Sequence, residues 1–215
     1  MKHFIFVLIM CIGFISKAQE KSILKDTITL DEVLVRATRV GEKAPFTQSN
    51  VTKSEIEERN LGQDIPVLLN FLPNVVTTSD AGNGIGYTGI RVRGSDASRV
   101  NVTINGIPLN DSESHGTFWV NLPDFASSTQ SMQLQRGVGS STNGAGAFGA
   151  SLSLSTNGIR EKAFAELGFS GGSYNSLKAN IQFGSGILYT SGKFKAEFTG
   201  RISTIQSDGY IDLSL

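Results

Sequence analysis

The sequence predicts an α+β domain with a small mixed sheet, followed by antiparallel strands that carry the pattern of an incomplete transmembrane β-barrel. Three observations predict it. Short alternating apolar/polar segments, separated by glycine-rich stretches and preceded by two short helical segments, occupy residues 51–157. Beyond Gly158, three longer segments set an apolar face against a charged one, the period-two signature of membrane-crossing strands. An apolar N-terminal run marks the chain for export.

The export signal comes first. Lys2 precedes an unbroken apolar run from Phe4 to Ile15, and Ser16-Lys17-Ala18 then places small residues at −3 and −1 of a cleavage site after Ala18. Such a run is too short to cross a hydrocarbon layer about 30 Å thick as a helix, so residues 1–18 read as a cleaved signal peptide. Cys11, the only cysteine, leaves with it, and the mature chain then has no disulfide, thiol nucleophile or thiolate metal site. Cleavage also removes Lys2 and Lys17, leaving 17 basic residues (19 − 2) against 19 acidic ones, a formal charge of −2. No basic patch with interleaved aromatics is present, so nucleic acid is not an expected partner.

Residues 19–50 read as a polar, flexible arm with one β-prone stretch, Ile28 to Arg36. Thr52-Lys53-Ser54-Glu55 predicts a helix start capped by Thr52 or Ser54, and Ile65 to Leu72 predicts a second short helix that ends at Pro73. Strands are expected at Val75-Val76, Ile90 to Arg93, Val100 to Ile104, Met132 to Gln135 and Leu152 to Ser155, with Asn105-Gly106 as a hairpin turn.

In the tail, residues 158–215, Ala163, Ala165, Leu167 and Phe169 oppose Phe164, Glu166, Gly168 and Ser170. Leu177, Ala179, Ile181 and Phe183 oppose Lys178, Asn180 and Gln182, and Phe194, Ala196, Phe198 and Ile202 oppose Lys193, Lys195, Glu197, Thr199 and Arg201. Strands of about 9 to 11 residues with this pattern suit a bilayer; a soluble sandwich with one face in its core is the rival reading. Three strands cannot close a barrel, so the membrane reading expects the chain to be a fragment.

Thr29-Leu30-Asp31-Glu32-Val33-Leu34-Val35-Arg36-Ala37-Thr38-Arg39 resembles the segment that opens many TonB-dependent receptors. Ile90 to Gly94, Val102 to Leu109, Met132 to Gly137 and Gly144 to Leu154 resemble that family's plug signatures, in the family's order, over residues 29–157. Departures are Asn105 where Asp is common, Gln133 and Gln135 where charged residues are usual, and Val138 where proline usually follows the Arg-Gly pair. The resemblance implies a plug domain at 51–157 followed by the first barrel strands. It also implies a TonB-interacting strand at Asp31, Glu32, Val33, Leu34 and Val35, with TonB and its inner-membrane motor, outer-membrane lipid and a small solute as partners. The strand could add to a sheet edge of the partner and be pulled. The expected role is a non-enzymatic outer-membrane importer of a scarce solute, an iron chelate (siderophore) or a cobalamin-like compound, without a cofactor or metal of its own.

Other motifs compete. Gly144, Gly146 and Gly149 match a dinucleotide fingerprint, but they run into an alternating strand rather than a helix, so they read as a tight turn. Ser112, Ser114, His115 and Asp111 hold hydrolase residue types without a nucleophile elbow. His115, Phe118 and Trp119, with Tyr87 in a second loop, are candidate solute contacts at the plug apex; packing is the alternative role for Phe118 and Trp119. A secreted β-rich adhesin or carbohydrate-binding module that stacks sugars on Trp119 and Tyr87 is the rival function.

Overall fold

The computed structural model describes residues 39, 41, 45–139, 146–191 and 194–211. The signal peptide reading, Asp31 to Val35 and most of the arm lie outside the described residues.

The domain begins with strand β1 (Gln48–Val51), three residues before the expected boundary, because it pairs with a later strand. Helix α1 (Lys53–Arg59) follows, and Thr52 is its cap: the Glu55 carboxylate accepts from both the Thr52 backbone N–H and hydroxyl at 2.8 Å. Helix α2 (Ile65–Leu68) is shorter than expected. Past it, Asn70 N–H bonds to Val67 C=O and Leu72 N–H to Leu69 C=O, i→i+3 turns that tighten the chain ahead of Pro73 while Leu68, Leu69 and Leu72 stay buried.

Strands β2 (Val75–Ser79) and β3 (Thr88–Val92) form a separate antiparallel pair. Strands β4 (Val100–Ile104), β5 (Ile107–Pro108), β6 (Thr129–Arg136) and β7 (Ala150–Thr156) join β1 in a sheet of order β1-β6-β7-β4-β5. Only β4 and β7 are parallel, so the sheet is mixed as expected. Asn105 and Gly106, at φ +51 and +83, turn β4 into β5 in the left-handed region that a type I′ hairpin demands. Gly149 runs straight into β7, and a Cβ there would lie 2.5 Å from Ser95 Cβ; close backbone packing explains the glycine without any cofactor.

The register gives the sheet two different faces. Val102, Leu152 and Leu134 form one row, and Ile104, Leu154 and Met132 another, facing α1, α2 and Trp119 in the core. On the opposite face, Asn101, Ser151 and Gln135 share a row, Thr103, Ser153 and Gln133 a second, and Ser155 and Ser131 a third. That face is uncharged and nearly all of it is buried.

The tail forms an antiparallel sheet, β8 (Phe164–Gly172), β9 (Ser176–Ser191) and β10 (Phe194–Gln206), of order β10-β9-β8. β9 and β10 exceed the expected 9 to 11 residues. Register shifts between Ala196 and Thr199 mark a bulge in the pair. The polarity of this sheet is inside-out for a soluble protein: Leu167 is 69% exposed, Phe169 79%, Phe198 61% and Ile202 70%, whereas Lys178 is 7% exposed and Gln182 9%. Its polar side packs on the α+β domain and its apolar side faces away, so the soluble-sandwich reading fails.

Covering one large apolar side chain is worth about 1.5–3 kcal/mol. Leu167, Phe169, Leu177, Leu188, Phe194, Phe198 and Ile202 together amount to on the order of 10–20 kcal/mol, comparable with a domain's whole stability. Such a face requires an apolar surrounding. The same contrast separates two leucines. Leu152→Ala, in the core, is expected to lower stability by about 2–5 kcal/mol in detergent denaturation. Leu167→Ala is expected to change it by about 0.5 kcal/mol or less in the same assay, since that side chain has no protein core to vacate.

Candidate functional site

The two sheets meet at a buried carboxylate. Asp124 sits just before the 3-10 turn Phe125–Ser128 that leads into β6, with φ +52, a left-handed conformation that Asp tolerates better than most residues. Its side chain is 1% exposed and takes two cations from adjacent wall strands: Lys178 Nζ of β9 lies 2.6 Å from Oδ1, and Arg201 Nη1 of β10 lies 2.8 Å from Oδ2. Ser127 Oγ donates to Oδ1 at 2.5 Å and Ser203 Oγ to Oδ2 at 2.6 Å. The cations also reach the domain's other edges. Lys178 Nζ donates to Asn60 Oδ1 at the end of α1, and Arg201 Nε to Ser128 Oγ.

Burial alone pushes the Asp124 carboxyl up, but hydrogen bonds from Lys178, Ser127 and Ser203 and the Lys178 charge outweigh it and hold it below the usual carboxylate range. Alternating charge on the tail marked Lys178 and Arg201 as one face, yet nothing in Asn121 to Phe125 singled out Asp124 as their partner. Sequence reasoning missed this corner.

A second attachment ties the β2–β3 loop to the ends of the wall strands. Tyr210 N–H donates to Ala81 C=O at 2.7 Å and Asn83 Nδ2 to Ser207 Oγ at 2.6 Å. Tyr174 and Tyr210 meet edge-to-face there, 5.3 Å between centroids. Beneath this loop Asp64, which precedes α2, is 5% exposed and accepts from Thr88 Oγ1 at 2.8 Å. Desolvation pushes its carboxyl up to about 6, against the hydrogen bonds from Thr88 and Gly86.

The expected solute contacts fall in two loops. Tyr87 is exposed in the β2–β3 loop. His115 and Phe118 are exposed in the loop after β5, whose shape is set by Asp111: its Oδ2 accepts from Ser114 N–H and Oγ at 2.7 and 2.8 Å. Those bonds pull the Asp111 carboxyl down and occupy the Ser114 hydroxyl. Trp119 is 3% exposed within the core cluster, which is the packing role weighed for it. Among the described residues, no ring contact or hydrogen bond joins Tyr87 to His115 or Phe118, and no group of His, Cys, Asp and Glu could hold a metal.

The geometry defines a plug held by its flank against the polar, inner side of a membrane wall. The family model for the TonB-dependent Receptor Plug Domain matches residues 41–151. Similar solved structures include a mutant of the ferric enterobactin receptor PfeA from Pseudomonas aeruginosa, at 20% identity and TM-score 0.58 over 84% of this chain and 27% of that one. The siderophore receptor PirA from Acinetobacter baumannii matches at 20% identity and TM-score 0.55, over 73% of this chain and 24% of that one. The alcaligin outer-membrane receptor FauA from Bordetella pertussis matches at 18% identity and TM-score 0.55, over 75% and 27%. At these identities the likeness concerns the fold, and this chain spans about a quarter of their length. No curated protein matches it. The chain belongs to the TonB-dependent receptor plug-domain family.

Asp124→Ala is expected to destabilise the chain by about 3–5 kcal/mol, because Lys178 and Arg201 lose their shared carboxylate while still covered. The depressed carboxyl adds stability that is fully present above its unfolded value of about 3.9 and lost as pH falls through the folded one. Asp64 acts oppositely. With a folded value near 6, the folded state holds a proton that the unfolded state has lost, so stability declines by on the order of 3 kcal/mol as pH rises from about 4 to 6. Stability of Asp64→Asn measured at pH 4 and pH 7 is expected to lack that component.

Proposed function

We propose that the chain is the plug and first wall strands of an outer-membrane TonB-dependent import receptor, exported by a signal peptide cleaved after Ala18, and that the rest of the barrel lies outside this sequence. The observation that carries the proposal is the inverted polarity of the β8–β10 sheet, with a family-typical plug seated on its polar side. In hydrocarbon, unpaired backbone groups cost several kcal/mol each, and β8 and β10 each have one edge without a partner among the described residues. Further strands satisfy both edges.

In this reading Asp31 to Val35 are gripped by TonB as an added strand, and the arm is pulled to remodel the plug. The proposed solute is an iron chelate of the siderophore type or a cobalamin-like compound; that PirA is named as a siderophore receptor and PfeA as a ferric enterobactin receptor favours the former. Tyr87, His115 and Phe118 are the proposed plug contacts. The adhesin reading loses one of its two stacking platforms, since Trp119 is core.

Deletion of residues 31–35 in the complete receptor is expected to abolish energy-dependent uptake of ferric siderophore while leaving its binding to cells unchanged. Uptake that persists in the deletion strain contradicts the coupling role of that segment. Recovery of the wild-type chain as a monodisperse, detergent-free soluble protein contradicts the wall assignment.

A further inference from the structure

Asp64 holds the capping position of α2, where an aspartate ordinarily accepts from the first turn of its own helix. Its side chain makes no such bond. The hydrogen bonds that the carboxylate accepts come instead from the β2–β3 loop, one from the Thr88 hydroxyl at 2.8 Å and one from the Gly86 backbone N–H. Those donors flank Tyr87.

The loop is fastened to the same spot by its backbone. Asp64 N–H donates to Gly84 C=O at 2.9 Å, Gln63 Nε2 to Asn83 C=O at 3.1 Å, and Asp80 N–H closes the loop onto Tyr87 C=O at 3.0 Å. A Cβ on Gly84, which has φ +82, would lie 2.9 Å from Val67 Cγ2 of α2, so the chain passes as near the helix as glycine permits. Tyr87 is 59% exposed although the chain on both sides of it is held.

The carboxylate depends on the loop in turn. Asp64 is 5% exposed and no cation takes part in its titration; burial pushes the carboxyl up to about 6, and the Thr88 and Gly86 bonds oppose that rise. At neutral pH it is ionised, so a loop that moved off would strip a buried charge of its donors. Ordering a mobile loop on binding costs affinity, and here the ordering precedes the solute.

We propose that Asp64 is a positioning residue for solute recognition: its carboxylate clasps the chain on either side of Tyr87 and fixes the ring where it meets the solute. Buried as it is, Asp64 acts through Tyr87 and not on the solute itself. This rests on the reading of Tyr87 as a solute contact.

The test uses the complete receptor. Hydrogen exchange over residues 83–88 reads the clasp without any solute, and Asp64→Ala is expected to speed it about tenfold while β4 and β7 exchange as before. Thr88→Val, which removes one donor and keeps the carboxylate, is the second variant should Asp64→Ala fold poorly. Recognition is read as binding of ferric enterobactin and of cyanocobalamin to cells without energy, using whichever the wild type binds. Asp64→Ala and Tyr87→Ala are each expected to weaken binding about tenfold, and the double variant no more than either. In energised uptake the loss is expected in the half-saturation concentration and not in the maximal rate per receptor, which a merely unfolded fraction would lower. Leu152→Ala, destabilised in the core, is expected to keep wild-type affinity. Unchanged exchange in both Asp64→Ala and Thr88→Val overturns the clasp. Wild-type affinity in Asp64→Ala while Tyr87→Ala is weakened, or additive losses in the double variant, overturns the positioning role and leaves Tyr87 as a contact. Full affinity in Tyr87→Ala removes the contact reading, and the positioning role with it. Binding of neither probe by the wild type overturns the proposed solute class and this role within it.

Discussion

The structure depends on the direction in which the tail strands turn their polarity. Because β8–β10 present lysine, arginine, glutamine and serine inward, the domain that packs on them must offer polar partners at that point, and the Asp124 corner is what it offers. Because the same strands turn leucine, isoleucine and phenylalanine outward, their surroundings must be apolar. Each residue of these strands contributes to one side or the other, so a slip of one position in register would put Lys178 and Arg201 into lipid and Phe169 and Ile202 against the plug.

A buried ion cluster is weak as a source of stability, since desolvation of three charged groups offsets much of their attraction, but it is costly to mispair. At Asp124 one carboxylate requires two cations from two neighbouring strands and two hydroxyls from two different elements. Few other placements of the hairpin satisfy all four donors. The corner therefore serves chiefly to fix where the wall sits on the plug.

Much of this was legible in the sequence. The alternation at Val100 to Ile104, Met132 to Gln135 and Leu152 to Ser155 located three central strands, Asn105-Gly106 fixed a turn, and the order of the plug signatures named the family. The tail's two faces were readable residue by residue because a strand's period of two needs no tertiary knowledge. What periodicity cannot supply is direction: an amphipathic strand looks the same whether its apolar side turns inward or outward, and only the packing of Lys178 and Gln182 against the plug decided it. Long-range partners were equally hidden. Asp124 lies over fifty residues before Lys178 and over seventy before Arg201, and the sequence around Trp119 admits both a solute contact and a core role, whereas its ring lies in the core cluster.

The central claim, that the outward side of β8–β10 meets lipid, is tested most directly by nitroxide spin labels on single cysteines in the complete receptor in bilayers. Labels replacing Leu167 and Ile202 should be relaxed strongly by oxygen and weakly by a water-soluble nickel chelate, while a label replacing Ser170, on the inner side, should not share that lipid signature. Strong nickel relaxation at Leu167 and Ile202, or oxygen relaxation equal at all three positions, would contradict the account.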